Sequence, residues 1–587
     1  MSFNKYYQEE LLYLREMGEE FARAYPKLAP FLSRKGNDPD VERIIEGFAF
    51  IAGRIRQKLD DELPELTHTL ISLLWPHFLR PVPSMSILQF TPVPNAISEK
   101  QIIARGVEVD TVPVDGTPCR FHTCYGVELY PFSLEDIEVQ TTGSGTTLKV
   151  NFRLGAGAVM DKMKLDRLRL FLHGEPSVCH SLYLWFFEYL TRVTVRGDGP
   201  EKSAPRVDLD KTCVERVGFA DDQALIPYPA NAFSGYRLLQ EYFCLPQKYL
   251  FLDVKSLDKM VRLPVRERFS ITFEFARPFE SHVRLNKSNL QLYCTPIINL
   301  QKKDSTPIRL KNEKVEYRVM PSGSDAAHFD IFSVDHVTGW VQGTGERKIY
   351  RPFISFDHRA QRQEQNNAFF RTRLNPSVVG NDAETYASFV TVSERPQLPS
   401  AETISIEMTC TNRQLPEKLR IGDVRVATGN SPEFALFQNI LPCTKSIPPP
   451  LEGDMQWMLI SNMALNYTSL TNVDALKVIL SAYNFPAFYD KQAARVSELR
   501  MEGIASINVT PMTLMFNGLP ARGLRTRLGM KSSKFSNVGD MYLFAAVLNE
   551  FFTLYASINS FNQLTVKDIE RGEEFQWQPR IGQQPVI

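Results

Sequence analysis

The chain has 587 residues, too many for one hydrophobic core, and length alone leads to an expectation of roughly three or four domains. Hydrophobic residues make up 43% and aromatics 11%, which excludes wholesale disorder. Lys plus Arg equals Asp plus Glu at 67 each, so there is no basic excess of the kind a general nucleic-acid binder uses against phosphate.

The first residues, MSFNKYYQEELLYLREMGEE, contain no apolar core of a secretory signal. The most membrane-like stretch, Leu182 to Leu190, is short and carries Glu188, and no apolar run approaches the roughly 18 residues of a spanning helix. Eight cysteines without tight spacing read as reduced thiols. The expectation is a soluble, cytoplasmic protein with no direct membrane insertion.

The first 75 residues are helical in pattern. Tyr7, Leu11, Leu14, Gly18, Phe21 and Tyr25 recur at alternating spacings of four and three, the period of a coiled-coil seam, and Pro26 ends the run. Asp38 as N-cap and Pro39 at the first helical position open a second helix. Its apolar face holds Val41, Ile44, Ile45, Phe48, Ile51, Ala52, Ile55 and Leu59. A third helix runs from Glu65 to Trp75. A helix as short as the first is marginal alone, so its seam needs a cover. Two covers fit. One is a partner chain, which makes Tyr7, Leu11, Leu14, Phe21 and Tyr25 partner-binding residues; the other is the second helix, in an ordinary antiparallel hairpin.

From Ser86 to Arg413 the period changes to two. Leu148, Val150, Phe152 and Leu154 alternate with polar residues, as do Phe269, Ile271, Phe273 and Phe275, and Ile404, Ile406, Met408 and Cys410. Strict alternation predicts antiparallel strands with one buried face. Within this region, residues 232–254 read AFSGYRLLQEYFCLPQKYLFLDV. Ser234 can cap a helix whose polar residues Arg237, Gln240 and Glu241 fall on one narrow stripe, so the helix is buried on most sides. Pro246 stops it, and Tyr249 to Leu252 suit a strand covered on both faces. Ser446 to Gly453 (SIPPPLEG) reads as a linker, because three successive prolines favour extended chain. Beyond it, Met541 to Tyr555 is an apolar helix with Asn549, Glu550 and Thr553 on one stripe. Asn559 could be its left-handed cap, and Asn412 a tolerant turn residue.

These patterns define a mixed α/β multidomain chain, with β-rich modules, an N-terminal helical arm and a C-terminal α/β domain. The expected segments are 1–85 helical, 86–230 and 231–445 β-rich, and 446–587 α/β. Nucleotide-, protease- and hydrolase-type fingerprints (G-x-x-x-x-G-K-[ST], H-E-x-x-H, G-x-S-x-G) are absent from the sequence. Cys119, His122 and Cys124 form the one metal-like cluster. On a strand Cys119 and Cys124 point to opposite faces; His122 and Cys124 share one, but no third ligand is evident. No catalytic residue, metal or cofactor is therefore expected, although catalytic groups that converge only in space leave no motif.

The string from Ala232 to Val254 closely resembles the TssF family, a baseplate subunit of bacterial type VI secretion systems. Further segments are similar to it: FNKYYQEELLYLREMGEEFARAYPKLAPFL near the start and the stretch from Asp38 to Ser84. So are TPIINL at Thr295–Leu300, TCTNRQLP at Thr409–Pro416, WMLISNMALNYTSL at Trp457–Leu470 and FFTLYASINSFNQL at Phe551–Leu564. The resemblance runs the full length and implies a structural role in the baseplate wedge of a contractile injection machine. It implies two copies per TssG-like subunit, contacts with TssK, TssE, the spike hub and neighbouring wedges, and a baseplate docked at the inner-membrane complex. A β-rich carbohydrate-acting hydrolase, which needs two carboxylates across a cleft, and a secreted adhesin are the alternatives.

Overall fold

The computed structural model describes residues 3–25, 39–60, 64–197, 205–229, 232–280, 283–310, 314–323, 326–343, 345, 347–353, 367–377, 383–392, 402–451, 472–516 and 519–582. Asp38 and the string 457–470 lie outside them. Helices α1 (Phe3–Ala24), α2 (Pro39–Asp60) and α3 (Pro64–Leu74) form the N-terminal arm. The remainder is rich in strands, as the alternating stretches require.

Strand pairing joins segments far apart in the chain. A six-stranded base sheet runs Val424–Ala427, Glu108–Thr111, Arg120–Thr123, Cys294–Ile298, Met85–Pro92 and Ala435–Asn439. A second sheet places Arg268–Phe275 between Leu190–Arg196 and Gly145–Leu154. Here two alternating patterns meet in register: Leu148 faces Phe273, Val150 faces Ile271 and Phe152 faces Phe269, all buried. The Phe152 and Phe269 rings stack at 4.8 Å, an arrangement that adds to their area burial. A four-stranded sheet contains Phe251–Lys255 between Val214–Arg216 and Arg167–Leu172. One continuous hydrophobic cluster extends from Ile71 to Trp577, and so draws on all four expected segments. The boundary at 230/231 passes between paired strands of two sheets, and that at 85/86 falls inside a base-sheet strand.

The expected linker at Ser446–Gly453 begins as part of the base. Val82 and Ile447 exchange backbone hydrogen bonds of 2.8 and 3.0 Å, and Pro449 and Pro450 are buried. Proline-rich chain can lie against a sheet edge as readily as it can span solvent, and here it pairs.

A distinct module is inserted between Asn299 and Asn412. Its eight-stranded sheet has its own core of Val337, Tyr350, Ile404, Ile406, Met408 and Cys410, so the third alternating pattern also faces inward. The sheet curls until its ends meet: Thr306 N–H donates to Met320 O at 2.9 Å, and Ser322 N–H to Asp304 O at 2.9 Å. Closure of this kind removes exposed edges. Lys348 Nζ at 2.5 Å and the Tyr350 hydroxyl at 2.7 Å satisfy the buried Glu402 carboxylate.

The C-terminal part is α/β. Leu519–Met530 and Ser560–Asp568 are parallel neighbours joined through the buried helix Val538–Tyr555, while Ile504–Phe516 pairs with the first of them as an antiparallel hairpin. Asn549 and Thr553 are buried within that helix, and the Thr553 hydroxyl donates to Asn549 O at 2.8 Å. One expected turn residue is corrected: Asn559 is not left-handed, because the helix ends with Ala556 already extended. Asn412 does open a turn, its O accepting from Leu415 N–H at 3.1 Å, with Arg413 (φ 49°) the left-handed residue and the Asn412 side chain held in the interior.

Candidate interaction surfaces

Ser234–Cys244 is helical, with Phe233 rather than Ser234 at the cap position. Its polar stripe lies inside the protein. Glu241 is fully buried; its Oε1 accepts from the N–H groups of Leu225 (2.8 Å) and Ile226 (2.9 Å), and its other oxygen pairs with the equally buried Lys248. Burial pulls the Lys248 pKa down, and the Glu241 charge opposes that shift. Arg237 reaches Asp221 at 2.7 Å, and Gln240 accepts from the Tyr228 hydroxyl. The stripe thus anchors residues 221–228 onto the helix. Pro246 begins a short 3-10 turn that runs to Tyr249, so the strand expected from Tyr249 starts only at Phe251; Phe251–Val254 is then buried throughout.

Cys119 and Cys124 are both buried, and desolvation pushes each up to about 12. Among the described residues no three His, Cys, Asp or Glu side chains come together as a metal site. A cleft of about 450 Å³ lies between α3, the base and the inserted module, lined by Arg80, Phe332, Phe370 and Arg371; Glu316 is the one acidic residue among its described lining. Paired carboxylates across this cleft, which glycoside hydrolysis needs, are not among those residues.

The arm offers a different surface. α1 and α2 pack together: a Cβ at Gly53 would stand 3.2 Å from Tyr7 N, Ala49 is fully buried and Leu11 is buried. Arg15–Glu42 and Arg56–Glu10 ion pairs, both 2.8 Å, tie the helices along their length. Of the expected partner-binding seam, Leu11 is buried and Tyr7 and Leu14 are half-buried, while Tyr25 is exposed and the Phe21 side chain lies outside the described residues. Tyr7 and Leu11 therefore face the chain's own second helix, which is the internal hairpin arrangement. The physical reason is backbone proximity: the small residues Ala49 and Gly53, four apart, let α1 approach that side of α2. Among the described residues nothing covers the opposite side of α2. Ile44, Phe48, Ile51 and Ile55 are 57–69% exposed at spacings of four, three and four, and Leu12, Tyr13 and Met17 of α1 are also exposed. A contiguous apolar stripe of this kind marks an interaction surface.

Together, a set of sheets sharing one core, an inserted closed module and an arm with an exposed apolar stripe have the build of a structural assembly subunit. The sequence matches the type VI secretion system TssF family over residues 1–584, and the chain belongs to that family. It is 30% identical to type VI secretion system component TssF1 of Pseudomonas aeruginosa, with 99% of each chain covered. Its fold is similar to a chain of a TssK-TssF-TssG baseplate subcomplex, with TM-score 0.76, 29% identity, and 92% of this chain and 99% of that one covered. It is also similar to a chain of the baseplate complex from the type VI secretion system, with TM-score 0.67, 26% identity and full coverage of both. The chain is a baseplate component of such a system. No described helix is long and apolar enough to cross a membrane.

Proposed function

We propose that the chain is a non-catalytic wedge subunit, and that the outward stripe Ile44, Phe48, Ile51 and Ile55 is its main assembly surface. The observation that carries this reading is that stripe, exposed among the described residues on an arm whose other side packs through Ala49 and Gly53. Its partners are a TssG-like subunit, with two copies of this chain for each, and a TssK-like subunit. The similarity to a chain of a TssK-TssF-TssG subcomplex supports the choice of partners. TssE-like and spike-hub proteins and neighbouring wedges complete the setting, in a cytoplasmic baseplate docked at the inner-membrane complex. The work such a subunit does is mechanical: it holds one ring geometry through many interfaces and reorganises when the sheath contracts. Co-expression with a TssG-like subunit from the same bacterium, followed by mass measurement of the purified complex, tests the proposal. A stable complex with two copies of this chain is expected, and a monomeric chain beside a free partner overturns the reading.

A further inference from the structure

Among the described residues the strand Ile504–Phe516 stands at the end of its sheet, with Leu519–Met530 as its one paired neighbour. Among the described residues, the outer side of 505–515 makes no backbone hydrogen bond, and Ala505, Ser506, Asn508, Thr510 and Pro511 are exposed. Protein edges are normally guarded by charge, by proline or by shortness. This one is 13 residues long and contains no Asp, Glu, Lys or Arg. Its single guard is Pro511. Proline has no N–H for the inner ladder, so in an edge strand its nitrogen belongs on the outer side. By alternation Ile507 and Val509 direct their N–H and C=O groups outward too, and the bonding row they form ends at Pro511.

The neighbouring strand adds a second observation. It carries Arg522, Arg525 and Arg527, and residues 503–530 contain no acid. Among the described residues Arg525 bonds only to the Gln563 side-chain oxygen, at 3.3 Å, while Arg522 and Arg527 are exposed and have no carboxylate partner. Elsewhere arginines are matched, as in Arg120–Asp110, Arg169–Asp253 and Arg500–Asp540. Strands lie about 4.8 Å apart, so an added strand would run roughly 10 Å from the arginine backbone, within reach of extended side chains.

We propose that the free edge at Ala505–Thr510 takes an extended, acid-bearing segment of a partner protein as an added β-strand. Backbone bonds to Ile507 and Val509 supply the pairing, and Arg525 and Arg527 select carboxylates. A second copy of this chain is the poorer occupant, because its own edge would bring no carboxylate to the arginines. The inference rests on the baseplate reading for the assembled state in which the strand is added.

The test compares hydrogen exchange of full-length chain, alone and assembled with TssG- and TssK-like subunits. The amides of Ile507 and Val509 are expected to exchange freely in the chain alone and roughly tenfold or more slowly in the assembly. Val509→Pro removes one outward N–H and should abolish that protection while leaving the melting temperature unchanged. Arg525→Glu with Arg527→Glu should do so without touching the backbone, and this variant decides if Val509→Pro fails to fold. An assembly that forms with unchanged exchange at 505–510 overturns the inference and leaves the baseplate reading intact. Protection that grows with concentration of the chain alone assigns the edge to a second copy and overturns the proposed occupant. A wild-type chain that assembles with neither subunit overturns the baseplate reading and this inference with it.

Discussion

Asn299 and Asn412 clasp each other where the inserted module leaves and rejoins the base. The Asn299 amide donates to Asn412 Oδ1 at 2.8 Å, and Asn412 N–H donates to Asn299 Oδ1 at 2.7 Å. Both residues are fully buried, and Asn299 also donates to Arg120 O in the base sheet, while Gln301 of the module donates to Asn412 Oδ1 at 3.0 Å. Next to the clasp, Arg413 Nε donates to Phe329 O at 2.9 Å, fixing the left-handed turn against the module. The module keeps a core of its own, and this polar knot, with Phe332 of the module packed into the base core, sets how the module sits on the base.

Asn412→Ala should therefore loosen the module. It removes the acceptor of the Gln301 amide and one of the two acceptors of the Asn299 amide, each loss costing about 1–3 kcal/mol where the N–H stays dry. Limited proteolysis and hydrogen exchange should show residues 301–411 opening more readily than the base. Equal loss of protection in both parts would mean that the clasp supports the whole chain rather than the neck.

His77 gives the fold a pH dependence. Its ring stacks on Tyr228 at 4.3 Å, and neither ring nitrogen has a hydrogen-bond partner among the described residues. Burial, with Arg80 adding to it, brings its pKa from 6.5 down to about 3. The unfolded chain therefore binds the proton first, and stability is full above pH 6.5 and falls as pH drops towards 3. At pH 5 this costs about 2 kcal/mol relative to pH 7, since each unit is worth roughly 1.4 kcal/mol. His77→Phe should keep the stacking, remove two orphaned polar atoms and flatten the melting temperature between pH 5 and 7. An unchanged pH slope in the variant would assign the effect to other groups.

Cys410 is fully buried on the inner face of the module, and its thiol is pushed up to about 12 by burial. It should resist alkylation in native protein and react on unfolding. Cys410→Asp should destabilise the module strongly, by several kcal/mol, because no partner awaits the charge. Rapid native labelling would show that this strand face is open.

That residue also shows what the sequence made legible. Alternation at 148–154, 269–275 and 404–410 placed each inner face correctly, because a half-buried strand must repeat every two residues. The helix at 234–244 was legible for the same kind of reason. Pairing was not. Met85–Pro92 lies between Cys294–Ile298 and Ala435–Asn439, and local periodicity says nothing of partners hundreds of residues away. For the arm the sequence left two covers open, a partner chain or the second helix, because the period of the α1 seam does not say what covers it. Ile44, Phe48, Ile51 and Ile55 form the obvious face of α2, yet Ala49 and Gly53 decide which side α1 can approach. Two small residues four apart were the available signal.

Lys248→Met should cost about 3–5 kcal/mol, because it leaves the fully buried Glu241 carboxylate without its countercharge. The double variant Glu241→Gln with Lys248→Met should recover part of that loss, since Gln still accepts from Leu225 and Ile226. Chemical denaturation of the two variants checks the order. A double variant less stable than Lys248→Met alone would contradict the account of this pair.

The central claim is that the outward stripe of α2 joins this chain to its assembly partner. The most direct measurement is the mass of the complex formed by Phe48→Glu with Ile51→Glu after co-expression with a TssG-like subunit, alongside the melting temperature of the variant alone. Both side chains are exposed in the free chain, so the melting temperature should not change, and the complex should be lost. A complex of unchanged mass would contradict the account, and would place the assembly surface elsewhere on the chain.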